Sequence, residues 1–221
     1  MAIRIGLLGG TGVEGRGIAL RFAHAGASVA IGSRSVERAR EAAAAYNQAL
    51  GSGAIEGLSN SEVLGRSDIV FLTLPYDQAP AALDALRADM PSGLVLVDVT
   101  VPMAFREGRA EYEEPAEGSN AERLALHLPP GVHLVGAFKT IPAHVMAEVQ
   151  TPLDCDVYVC GDDAGARARV MDAARLIPTL RPVDAGPLRA ARTLERMTVL
   201  AVNLNRRYKR KGARYRIQGI E

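Results

Sequence analysis

Gly10, Gly12 and Gly15 fall in a G-x-G-x-x-G run, Gly10-Thr11-Gly12-Val13-Glu14-Gly15, with Gly9 and Gly17 crowding the same stretch. A short apolar run over 3–8 precedes it, and a segment of helical character over 18–24 follows. In that strand-turn-helix context the pattern has a specific chemistry. Gly10 permits a sharp turn, Gly12 lets backbone N–H groups approach a pyrophosphate, and Gly15 lets the helix pack close to the strand. The dianion then meets unpaired N–H groups at a helix N-terminus. The end of the next strand reads Gly32-Ser33-Arg34, with Arg38 beyond it. A carboxylate there binds a ribose 2′-hydroxyl. A hydroxyl and two guanidinium groups instead suit a 2′-phosphate, which predicts NADP over NAD.

These residues must be carried by alternating strands and helices. Short apolar runs at 3–8, 28–31, 69–74, 94–99, 132–138 and 156–160 read as strands. Helical spacing covers 36–50, 80–88, 164–177 and 188–205. Ser119 and Glu122 form a capping-box signature that starts a helix over 119–128. The acidic stretch before it, from Glu107 to Glu117, reads either as a mobile flap or as a solvated loop. The alternation predicts an α/β fold with a Rossmann-type doubly wound parallel sheet. A soft boundary near 145–153 divides it into a dinucleotide-binding domain, 1–147, and a small C-terminal α-rich domain, 148–221, that closes the substrate cleft.

Composition narrows the remaining classes. The 221 residues carry 26 Lys and Arg against 25 Asp and Glu, and aromatics make up 5% with no Trp. Near-neutral charge and few stacking side chains argue against nucleic-acid binding. The balance hides a basic tail, Arg206, Arg207, Lys209, Arg210, Lys211, Arg214 and Arg216. The two cysteines, Cys155 and Cys160, lack companions at metal-ligand spacing, so no metal site is expected. They read as buried thiols of a reducing compartment. Without a signal-like N-terminus or a long apolar span, the expectation is a cytoplasmic protein with no membrane partner. Asp98 and His144 stand near predicted strand or turn ends at the cleft, where each either positions a ligand or bonds locally.

The chain resembles the coenzyme F420-dependent NADP oxidoreductases, also called NADPH:F420 reductases. The likeness rests on Leu8-Gly9-Gly10-Thr11-Gly12, Gly32-Ser33-Arg34, Leu72-Thr73-Leu74-Pro75 and Thr140-Ile141-Pro142-Ala143. It extends through Val159-Cys160-Gly161-Asp162-Asp163 and Leu180 to Leu188, and so spans essentially the whole chain. The resemblance implies hydride transfer between NADP(H) and coenzyme F420 or a related deazaflavin, in a cleft between two domains of a homodimeric enzyme. It implies that Thr11, Gly12, Val13 and Glu14 hold the pyrophosphate and that Ser33, Arg34 and Arg38 hold the 2′-phosphate. Leu74, Pro75, Tyr76, Pro80, Val101, Met103 and Ala143 then line the path from adenosine to nicotinamide. The family's pattern departs at Lys139, where relatives carry His or Asn. Lys139 is therefore the candidate catalytic residue, stabilising a developing oxyanion or donating to a carbonyl. Two other readings stay open. One is an NADPH-dependent reductase of another small carbonyl, imine or flavin-type acceptor that uses Lys139. The other is a non-catalytic NADP-binding protein.

Overall fold

The computed structural model describes residues 3–220. Its elements run β1 (Arg4–Leu8), α1 (Val13–His24), β2 (Ser28–Ser33), α2 (Val36–Leu50), β3 (Ile55–Ser59), α3 (Asn60–Arg66), β4 (Ile69–Leu72), α4 (Ala79–Leu86) and β5 (Val95–Asp98). They continue as β6 (Met103–Arg106), β7 (Arg109–Tyr112), α5 (Asn120–Ala125), β8 (His133–Gly136), α6 (Ala143–Ala147), β9 (Cys155–Cys160), α7 (Ala164–Arg175), β10 (Leu180–Gly186) and α8 (Ala191–Arg207). Eight strands form one sheet in the order β3-β2-β1-β4-β5-β8-β9-β10. The first six strands in that order are all parallel, the doubly wound arrangement expected.

Alternation within the central strands builds a core on each face of the sheet. Ile5, Leu7, Ile69, Phe71, Val95 and Val97 point to the α1 side, whereas Leu8, Val70, Leu72 and Leu96 point to the side of α3, α4 and α5. Both faces are covered, so these strands read as unbroken apolar runs. On the α1 side, Phe22, Phe71 and Phe138 form a triangle with ring centroids 5.3–5.8 Å apart.

Residues 148–220 supply helices α7 and α8, and also two strands that extend the same sheet. β9 meets β8 antiparallel through Gly136 and Cys160, and β10 runs parallel to β9. Every residue of β9 is buried, which demands cover on both faces. β10 is not among the strands expected: in Leu-Arg-Pro-Val-Asp-Ala-Gly the apolar residues are interrupted by Arg181, Asp184 and Pro182, the last tolerable because the strand lies at the sheet edge.

The acidic stretch is ordered. β6 and β7 form an antiparallel hairpin turned at Glu107 and Gly108, both with positive φ, 48° and 78°. Asn203 of α8 fixes it by pairing both ways with the Ala110 backbone, at 2.9 and 2.8 Å. That partner lies 93 residues away, so local pattern could not announce the hairpin. The helix after it begins as expected, with Ser119 accepting from the Glu122 amide.

Candidate functional site

β1 delivers the chain to Gly9, whose left-handed backbone (φ 76°) makes the reversal that the sequence reading assigned to Gly10. Gly10 is needed for a different reason: a Cβ there would lie 2.7 Å from the Ile31 side chain. A Cβ on Gly15 would sit 2.6 Å from the Gly10 backbone, so the helix does pack against the turn as predicted. Gly12 has no protein atom closer than 3.7 Å to such a Cβ. Packing therefore leaves that face of the turn open to a ligand. Gly12 is also the N-cap of α1 and supplies no side-chain cap, so first-turn N–H groups remain available to an anion. Tyr46, buried on α2, fixes the turn by donating to the Gly10 carbonyl at 3.2 Å.

At the end of β2, Ser33 Oγ accepts from the Ser35 amide, and Ser35 in turn caps α2 by accepting from the Arg38 amide. Arg34 precedes the cap and Arg38 stands in the first turn. Both are exposed, and neither makes an ion pair among the described residues. Two unneutralised guanidinium groups beside a hydroxyl form a donor set for a phosphate dianion.

A cavity of about 640 Å³ opens beyond the carboxyl ends of β1, β4, β5 and β8, the place where open α/β sheets bind ligands. Thr73, Leu74, Pro75 and Tyr76 line it after β4, Val99 to Val101 after β5, and Lys139 to His144 after β8. Glu14 reaches it from α1 and Met103 from β6. The opposite wall is α8 and the segment after it, through Thr198, Val202, Asn205, Arg206, Arg210 and Lys211. Of the predicted residues, Glu14, Leu74, Pro75, Tyr76, Val101, Met103, Lys139 and Ala143 thus gather at one cavity. Gly10, Thr11, Gly12 and Val13 belong to the adjoining turn, Ser33, Arg34 and Arg38 to the end of β2, and Pro80 to α4 outside the lining.

Lys139 is turned inward, with its side chain 1% exposed. Phe138 before it adopts a left-handed backbone (φ 58°), a strain on the order of 1–3 kcal/mol held by the buried ring cluster. The Lys139 ammonium meets Asp98 at 2.6 Å, the Thr100 carbonyl at 2.6 Å and Glu195 at 3.2 Å. Two of its three hydrogens are thus donated to Asp98 and the Thr100 carbonyl, and Glu195 adds an ion pair. Burial alone would lower its pKa; Asp98 and then Glu195 outweigh this and the net direction is upward. Asp98 also accepts from the Thr100 amide and hydroxyl, so its local turn bonding and its Lys139 contact coexist. Glu195 accepts from the Asn120 and Ala121 amides at the start of α5 and from the Tyr112 hydroxyl. Burial first, then the bond to Glu195, push the Tyr112 hydroxyl strongly upward. No sequence signal singles out Glu195, because its partners come from three distant segments.

A second network sets α6 against α1. The Arg21 guanidinium donates to the carbonyls of Val145, Met146, Glu148, Val149 and Thr151 at 2.8–3.1 Å. A Cβ on Gly17 would lie 2.6 Å from the Ala143 carbonyl, so the two helices touch backbone to backbone there. This contact fixes Ala143 and His144 relative to the phosphate turn. The basic tail divides: Arg206, Arg210 and Lys211 line the cavity, whereas Arg214 bonds the Leu153 carbonyl and Arg216 pairs with Asp154. Among the described residues, no group of three or more His, Cys, Asp or Glu is placed to hold a metal, and no helix is long and apolar enough to cross a membrane.

Comparison with known proteins adds a family. A family model described as NADP oxidoreductase, coenzyme F420-dependent, matches residues 4–102. The F420-dependent NADP reductase of Methanothermobacter thermautotrophicus is 37% identical over 225 residues, covering 100% of this chain and 97% of that protein. The F420-dependent NADP reductase of Methanocaldococcus jannaschii is 36% identical over 225 residues, covering 99% of this chain and 100% of that protein. A crystal structure from Arthrobacter sp. FB24, of a protein assigned as an F420-dependent NADP reductase, superposes with a TM-score of 0.82. It covers 98% of this chain and 99% of its own at 24% identity, a likeness of fold.

Proposed function

The chain belongs to the coenzyme F420-dependent NADP oxidoreductase family, and from that premise we propose that it transfers hydride between NADP(H) and coenzyme F420 or a related deazaflavin. The observation that carries this reading is the single cavity that Glu14 of the phosphate-turn helix, the β4, β5 and β8 loops and α8 share. Two planar coenzymes meeting there react by orientation, and the coenzymes supply the hydride donor and acceptor. The protein's residues hold them. The open face at Gly12 and the N–H groups beyond it receive the pyrophosphate, backed by Thr11, Val13 and Glu14. Ser33, Arg34 and Arg38 receive the 2′-phosphate. Leu74, Pro75, Tyr76, Val101, Met103 and Ala143 form the surface along which the dinucleotide runs toward its nicotinamide end.

We read residues 1–147 as the dinucleotide domain and 148–221 as the part that closes the cleft, since α8 and the segment after it form the far wall. The cations Arg206, Arg210 and Lys211 favour an anionic acceptor, as the phosphodiester and glutamate tail of F420 would be. In this reading Lys139 is a positioning residue, not a proton donor to substrate, because its ammonium is buried, bonded to Asp98 and the Thr100 carbonyl and paired with Glu195. That removes the residue on which reduction of another carbonyl or imine acceptor depended. A cytoplasmic homodimer completes the proposal; buried free thiols suit a reducing compartment, and exposed Leu200 on α8 offers apolar surface to a second copy. The test is rapid mixing of NADPH-loaded protein with F420, a flavin or a cyclic imine while NADPH absorbance is followed. Oxidation by F420 alone is expected. Oxidation by the imine or flavin but not F420 contradicts the proposal, and tight NADPH binding with no oxidation by any acceptor points to a non-catalytic binder.

A further inference from the structure

Three of the chain's four phenylalanines, Phe22, Phe71 and Phe138, close the buried triangle. The fourth, Phe105, is 60% exposed and lines the cavity. A lone exposed ring on open surface needs no explanation. A ring in the lining of a cavity is set against whatever fills that cavity. Phe105 follows Met103 by two residues on β6, so the two side chains leave the strand on the same face. Met103 stands next to the carboxyl end of β5, and Phe105 stands about 7 Å farther out, twice the rise of a strand residue. Its cross-strand neighbour Ala110 is buried, and the Ala110 backbone is tied both ways to Asn203 of α8. The ring is therefore carried on an anchored strand pair, with only a methyl group opposite it.

One face of the ring already has a partner. The Arg206 guanidinium of α8 lies over it, 5.5 Å from the centroid, and lines the same cavity. Arg206 is exposed and makes no ion pair among the described residues, so its charge stays free beside the ring. Tyr76, the other phenyl ring of the lining, belongs to the β4 loop; its hydroxyl is tied to Glu113, and Arg123 lies 5.9 Å from its centroid. The inner loops after β4, β5 and β8 are the surface given to the dinucleotide. The outer part of the cavity, between β6 and α8, is left for the second coenzyme.

We propose that Phe105 is the platform for the acceptor's ring system: the planar deazaflavin lies on the phenyl face that Arg206 leaves open, and Arg206, on the other face, takes the acceptor's anionic tail. The proposal rests on the hydride-transfer reading given above and adds which residues select the second coenzyme. The two residues divide that selection. Stacking on a phenyl face depends on the ring system and not on the tail. Attraction of the guanidinium depends on the tail and weakens with salt.

The experiment is fluorescence anisotropy of two oxidised deazaflavins, coenzyme F420 and the same deazaflavin without its phosphodiester and glutamate tail, titrated with the full chain saturated with NADP+. With both coenzymes oxidised no hydride moves, and binding alone is read. Phe105→Leu is expected to weaken both deazaflavins about tenfold, with NADP+ binding and the urea midpoint unchanged. Phe105→Trp is expected to bind both at least as tightly as wild type. Arg206→Gln is expected to weaken F420 about threefold and leave the tail-less compound unchanged. Wild-type affinity for both deazaflavins in Phe105→Leu overturns the proposal, as does Phe105→Trp binding no better than Phe105→Leu. A loss confined to F420 in Phe105→Leu also overturns it, because the ring would then act only by holding Arg206. An equal loss of NADP+ binding would place the ring on the dinucleotide and overturn it too. Failure of the NADP+-loaded wild type to bind either deazaflavin overturns the hydride-transfer reading itself, and this proposal with it.

Discussion

The wall of the cleft at the N-terminus of α1 comes from contiguous residues, Gly9 to Gly15, whereas the wall around Lys139 draws on Asp98, Thr100, Tyr112, Asn120 and Glu195 from separate segments. The first wall is left incomplete. Its helix start has no side-chain cap, and Arg34 and Arg38 nearby have no ion-pair partners among the described residues. The second wall is largely bonded within the protein: the Lys139 ammonium donates to Asp98 and the Thr100 carbonyl and pairs with Glu195, and both carboxylates accept backbone N–H groups, while the Asn120 carboxamide oxygen is left without a partner. Unsatisfied groups on one side select a charged ligand, and satisfied groups on the other hold the shape against which that ligand reacts.

Breaking the self-contained wall should have the largest effect. Lys139→Met leaves Asp98 and Glu195 buried without their cation, and removal of one member of a buried pair costs about 3–5 kcal/mol. Urea unfolding measures this. A loss below about 1 kcal/mol would mean that the network does not hold the wall together. Glu195→Gln should lose less, because Lys139 keeps Asp98 and the Thr100 carbonyl.

Damage to the open wall should appear in binding and spare stability. Arg34→Ala should weaken NADPH by about 1.5–3 kcal/mol, the range for a hydrogen bond to a charged group, and leave NADH nearly unchanged. Equal losses for the two nucleotides would contradict the 2′-phosphate role. The smallest effects belong to the cavity's basic edge. Neutralising Arg206, Arg210 or Lys211 should each cost about 0.2–1 kcal/mol in F420 affinity, with a shallower salt dependence and unchanged NADPH binding. Identical behaviour for Arg214, which bonds the Leu153 carbonyl, would show that the edge acts through general charge only.

The same contrast decides what could be read from the sequence. The parallel sheet and its phosphate turn were legible because Gly10, Gly12 and Gly15 act through neighbours in the chain, and buried strands such as Ile69–Leu72 are continuous apolar runs. The reversal at Gly9 in place of Gly10 was a displacement of one residue within a correct motif. β10 is not legible because Arg181, Pro182 and Asp184 interrupt its apolar residues, nor is the β6–β7 hairpin, whose strands are only four residues long and are held by Asn203 from α8. The inward turn of Lys139 was likewise hidden. It depends on the left-handed backbone of Phe138 and on carboxylates 41 and 56 residues away, since 139 − 98 = 41 and 195 − 139 = 56.

Direct transfer between two coenzymes held by these unlike walls is the central claim, and isotope transfer tests it. NADPH carrying deuterium at its transferable ring carbon is reacted with F420 on the protein in ordinary water, and the reduced deazaflavin is analysed by mass spectrometry. Direct transfer puts one deuterium on the product carbon in each turnover, because the hydride passes from one coenzyme to the other without exchange with solvent. Reduced product carrying only solvent hydrogen at that carbon would contradict it.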